Sequence, residues 1–160
     1  MSLFGDDQYQ WRETYFVLFR EADRPFVDSV SAEFADDDRI EVANIIGDES
    51  GRLESLTLRA PDDFSAMDIT FVKGDEVKEQ VDQLLRELAR TTLDETERGK
   101  LDQLGECDGR FDVFHFEQVQ MYDEAAEEIL DPGGLLIVLE KLSRLSRGVV
   151  VDPQSGSLLP

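Results

Sequence analysis

Thr14-Tyr15-Phe16-Val17-Leu18-Phe19 is an unbroken run of aromatic, β-branched and aliphatic residues. A strand with one wet face alternates polar and apolar side chains. This run does not, so it is expected to be buried on both faces, at the centre of a sheet. Asp23-Arg24-Pro25 follows and reads as a helix start, with Asp23 or Arg24 outside and Pro25 in the first turn. Phe26, Val30 and Phe34 recur at spacings of four along that helix, and the acids Asp28 and Glu33 lie off their line. Asp36-Asp37-Asp38 ends it.

Beyond that point Ile40 to Ile46 and Leu53 to Leu58 read as two strands. Gly47-Asp48-Glu49-Ser50-Gly51 is the hairpin loop between them. Met67, Ile69 and Phe71 alternate with Asp68 and Thr70 in a further extended segment. Val77, Val81, Leu84, Leu85 and Leu88 then make one apolar helical stripe, with Asp75 as its expected cap. Leu93 to Leu104 is a second, more polar helical piece, broken from the first near Thr91-Thr92. Phe111 to Val119 is a strand with Phe114 and Phe116 on one face and Phe111, Val113 and His115 on the other. Residues 121–130 read as an acidic helical turn or two.

Asp131-Pro132 is expected to open the last helix, Gly133 to Arg147, after which Gly148 is placed in the left-handed position. Apolar residues cover more than half of that helix, which makes it either the central core helix or a dimer surface. Val149 to Leu159 closes the chain as a hairpin.

The order β-α-β-β-(β)-α-β-α-β-β is that of an α+β protein. Through residue 119 it is compatible with a ferredoxin-like βαββαβ antiparallel sheet carrying its helices on one face, extended by the C-terminal helix and hairpin. Residues 1–160 are expected to form a single domain, with 1–13 a flexible N-terminal segment.

The 37 acidic and 16 basic residues give a net charge of −21. All of the excess acid lies in residues 1–132, since the last 28 residues carry Lys141, Arg144 and Arg147 against Glu140 and Asp152. A field of this sign repels nucleic-acid phosphates and anionic membranes. The acid has three readings: solubility or adaptation to the host environment, docking onto a basic protein, and mimicry of nucleic acid. There is no apolar stretch long enough to span a bilayer, and Met1 to Asp7 has none of the features of a signal peptide. The single Cys107 allows no internal disulfide. The cytoplasm is the expected compartment.

Chemistry-bearing residues are few. His115, the only histidine, is the one candidate acid–base group. Cys107 lies between Glu106 and Asp108, acids that raise a thiol pKa and oppose nucleophilic use. One Cys and one His do not build a zinc site, and no cofactor is expected. For a hard cation the places to look are Asp36, Asp37 and Asp38, and Asp48 and Glu49. Gly133-Gly134 opens a helix and exposes amides, but Glu127, Glu128 and Asp131 precede it and repel an anion. Close packing is the expected role of these glycines.

Residues 15–46, with Asp23-Arg24-Pro25 between first strand and helix, resemble the opening of an ACT-type ligand-binding domain. In that family the loop often reads D-R-P-G, and amino acids bind near it at a dimer interface. The resemblance rests on three residues over a fifth of the chain. Phe26 stands in place of the glycine and crowds the approach of a ligand. It implies Asp23 and Arg24 as ligand-binding residues of a small-molecule-binding regulatory domain. The primary expectation is a non-enzymatic domain acting by protein–protein contact, either through self-association or on a basic partner. An enzyme built on His115 ranks third.

Overall fold

A computed structural model describes residues 7–90, 94–118 and 133–158. Within these residues seven strands form one antiparallel sheet: β1 (Tyr9–Phe19), β2 (Glu41–Gly47), β3 (Leu53–Ala60), β4 (Ser65–Lys73), β5 (Gly109–Gln118), β6 (Val149–Asp152) and β7 (Ser157–Leu158). Their spatial order is β2-β3-β4-β5-β1-β6-β7. Among the described residues four α-helices accompany them: α1 (Val27–Ala35), α2 (Asp75–Leu88), α3 (Glu95–Leu104) and α4 (Gly133–Ser146). The α+β class and the sequence of elements are as expected. The strand order is not that of a ferredoxin-like sandwich. β2, β3 and β4 form a meander, and β1 lies on the far side of β5 from it.

β1 explains the layering. Val17, Leu18 and Phe19 are all fully buried, and they point to alternate faces. Val17 and Phe19 enter the main core with Val30 and Phe34 of α1 and with Leu135, Val138, Leu139 and Leu142 of α4. Leu18 enters a second core with Val77, Val81, Leu84 and Leu88 of α2 and Leu104 of α3. Helices therefore cover both faces, not one, because a strand apolar on both sides needs cover on both. α4 is a core helix. β1 also starts at Tyr9, and its pairing with β5 runs from Tyr9↔Gln118 to Phe19↔Gly109. Residues 9–13, expected in a flexible segment, continue the strand.

Helix ends differ from expectation in instructive ways. Glu21–Asp23 is a 3₁₀ turn, and Phe26, not Asp23, caps α1. Arg24 is extended, as a residue before proline prefers. Pro25 O accepts from Leu53 N, and Phe26 bridges Arg52. Gly74 rather than Asp75 caps α2. Asp94 caps α3 in a reciprocal capping box with Glu97. After α4 the left-handed residue is Arg147 (φ 55°), and Gly148 N donates to Ser143 O. Gly148 is needed for space instead: an added Cβ would lie 2.8 Å from Leu18 O. The expected acidic turn at 121–130 and the Asp131-Pro132 cap lie outside the described residues.

Candidate functional site

Two of the candidate groups meet. Arg24, nine-tenths buried, lies with its guanidinium 4.1 Å above the ring of Phe71. Its Nη2 donates to Asp48 Oδ2 at 2.5 Å, which ties the loop after β1 to the β2–β3 hairpin. The other Asp48 oxygen accepts from Ser50 N (2.8 Å), Ser50 Oγ (2.6 Å) and Arg52 N (3.0 Å). The Ser50 hydroxyl foremost, then these amides and Arg24, hold the Asp48 carboxyl down to about 2. Asp48 is thus a permanent anion that organises the hairpin. Its oxygens are committed to the chain. Asp23, by contrast, pairs with Arg20 at 3.0 Å.

Arg52 completes the tie. Its Nη1 donates to the carbonyls of Ala22 and Arg24, and its guanidinium lies 4.8 Å from the Phe26 ring. Beside it is an opening of about 380 Å³ lined by Glu21, Ala22, Arg24, Ser50, Arg52 and Asp108. Asp108 accepts from Glu21 N at 2.7 Å and fixes this wall. A larger depression of about 580 Å³ is lined by Gly47, Asp48, Glu49, Ser50 and Glu54. Arg52, Ser50 and Phe71 carry no mark of a site along the chain, because they converge only through pairing across elements.

Asp36, Asp37 and Asp38 lie at the other end of α1, away from Asp48 and Glu49 along the hairpin. Asp37 accepts from Arg39 N, Nε and Nη2, bonds that hold its carboxyl below the usual range. Among the described residues no three His, Cys, Asp or Glu side chains form a group able to hold a metal ion. The N-terminus of α4 is already occupied: Gly134 N donates to Asp63 Oδ2 at 2.9 Å, and a Cβ on Gly134 would lie 2.5 Å from that oxygen. The glycine serves close approach.

His115 faces the α1/α4 side of β5, next to Met67 of β4 and Glu13 of β1. Nδ1 lies 3.2 Å from Glu13 Oε1, and among the described residues the buried Nε2 has no partner. Burial lowers the imidazole pKa despite Glu13, so the ring is neutral at pH 7, with Nδ1–H donating to Glu13. Ser65 Oγ on the neighbouring strand is also buried without a partner, so it does not bond to Nε2. Among the described residues the imidazole has a carboxylate to orient it but no nucleophile to activate. Cys107 is buried, and its Sγ donates to Gln103 O. Burial, with Asp108 and Glu106, pushes its thiol up to about 12, which leaves it unreactive at neutral pH.

The feature that sequence reading passed over is the sheet edge. Among the described residues β2 pairs with β3 alone. Glu41 is its single charged residue, and it contains neither lysine nor proline, the usual guards of an exposed edge. Val42 (37%) and Ile46 (45%) are solvent-exposed, as is Phe26 (48%) by the hairpin. Offsets at Ala43 and before Gly47 confine the regular part to Asn44–Ile46. The other edge, β7, is only two residues long. No helix among the described residues is long and apolar enough to cross a membrane. No protein-family model, no curated protein and no solved structure matches this chain.

Proposed function

We propose that this protein acts by protein–protein contact, through the exposed edge of β2. The observation that carries the reading is a seven-residue edge strand with exposed Val42 and Ile46 and no lysine or proline. An edge of this kind offers unpaired amides and carbonyls to an added strand. The apolar α4, the alternative contact surface, is core. Selection of a randomised peptide library on the immobilised protein tests the reading. Ligands are expected to bind wild type about tenfold more tightly than Val42→Thr/Ile46→Thr, since the substitutions replace an exposed methyl and an exposed ethyl group with hydroxyls on β-branched side chains. Ligands indifferent to both substitutions would contradict it.

A second reading, a small-molecule regulatory site, is favoured by the opening at Arg24. Two guanidinium groups and the carboxylates of Glu21 and Asp108 line it, a set suited to a zwitterion. Arg24 is already held by Asp48 and Phe71, which places this reading second. A rise in melting temperature with free amino acids, abolished in Arg24→Met, would reverse the ranking.

A further inference from the structure

We infer that the occupant of the β2 edge is a short extended segment of a partner protein, apolar at its centre and carrying Lys or Arg at both ends. The inference rests on the edge reading above and adds the chemistry of the partner.

Charge around the strand carries it. Residues 36–54 contain seven acids and two arginines, and both arginines are engaged: Arg39 on Asp37, Arg52 on the carbonyls of Ala22 and Arg24. Outside this stretch Arg59 of β3 stands opposite Glu41 and offsets one of the seven. The acids sit at the two ends of β2 and leave its middle apolar. Asp36, Asp38 and Glu41 are exposed at the start, and Glu49 and Glu54 are exposed at the finish. The latter two line the depression of about 580 Å³ beyond Gly47, which has room for a lysine or arginine head group. Val42, Asn44, Ile45 and Ile46 lie between.

A second copy of this chain fits poorly. In an antiparallel pairing the 36–41 end of one copy would meet the 48–54 end of the other. In a parallel pairing like ends would meet. Either way carboxylates face carboxylates, a juxtaposition that disfavours a partner. Because both ends are acidic, a strand basic at both ends suits either direction. The short regular stretch Asn44–Ile46 calls for a short occupant held by few backbone bonds, with the charged ends supplying steering and selectivity.

Two labelled synthetic peptides with one Val-Thr-Val-Thr-Val centre test this, one flanked at each end by Lys-Lys and the other by Ser-Ser. Fluorescence anisotropy should show the lysine peptide binding at least about tenfold more tightly in dilute buffer, with the difference closing as salt shortens the Debye length to about 3 Å near 1 M. Glu49→Lys/Glu54→Lys, both exposed and on a loop or strand start, should remove most of the difference while the fold is retained. Equal affinity for the two peptides would overturn the basic-ended occupant and leave the edge reading standing. So would a dimer in sedimentation that Val42→Thr/Ile46→Thr dissociates. Binding of neither peptide, together with library ligands indifferent to β2, would overturn both.

Discussion

Replacing Phe19 with alanine is expected to lower the unfolding free energy by about 3–5 kcal/mol, a large share of the roughly 5–15 kcal/mol that holds a domain together. Phe19 is fully buried at the end of β1, an interior strand next to the central β5. Its ring centroid lies 4.6 Å from that of Phe111 and 5.9 Å from that of Phe71. Gly109 is held against it so closely that a Cβ there would lie 3.1 Å from the Phe19 ring. The cavity would therefore be walled by two other rings and by backbone, none free to collapse inward. Phe71 is also the platform under Arg24, so the same change should loosen the tie between the β1 loop and the hairpin. Urea denaturation measures the first effect. A loss below about 1 kcal/mol would show that β1 is not the centre of the core.

Gly148→Ala should cost about 3 kcal/mol by overpacking, whereas Gly99→Ala should add about 0.5–1 kcal/mol by helix propensity. The contrast isolates space from chemistry. At Gly148 an added methyl would lie 2.8 Å from Leu18 O, 2.9 Å from Ser146 Oγ and 2.9 Å from Val17 Cγ1. Leu18 is paired with Val149 in the sheet, so its carbonyl cannot retreat. At Gly99, within α3, nothing lies within 4 Å. Thermal or urea unfolding of the two variants should give shifts of opposite sign. Equal small effects would mean that the turn from α4 into β6 is not packed on β1 in this way.

Much of the fold could be read along the chain. The unalternating run at 14–19 marked β1, the stripe from Val77 to Leu88 marked α2, and the broad apolar surface of Leu135 to Leu142 marked α4 as a core helix or a dimer surface. These signals are local, set by side-chain period. Strand order is not local. The chain leaves β1, crosses β5, β4 and β3 by way of α1, and lands at the sheet edge as β2, a choice made by which faces fit. The expectation of helices on one face conflicted with the double-sided β1 run, and the run was the better guide. Asp23-Arg24-Pro25 misled for a related reason. The same residues that open helices also keep a pre-proline residue extended, and the bond from Leu53 N to Pro25 O decides between the two.

The candidate site was legible only in fragments. Arg24 and Asp48 were each singled out, one through a family resemblance and the other as a cation ligand. Their pairing with each other, rather than with a ligand, follows from the β2–β3 hairpin folding back on the β1 loop. The edge itself was written in Val42-Ala43-Asn44-Ile45-Ile46, a stretch with no proline and no lysine or other charged residue. Recognising it as an edge required the strand order.

Amide hydrogen exchange across β2, with and without the lysine-flanked peptide, tests the central claim most directly. Added strand pairing should slow exchange within residues 41–47 and leave α2 and β6 unchanged. Protection confined to other elements, with β2 exchanging as in the free protein, would contradict a function exercised at this edge.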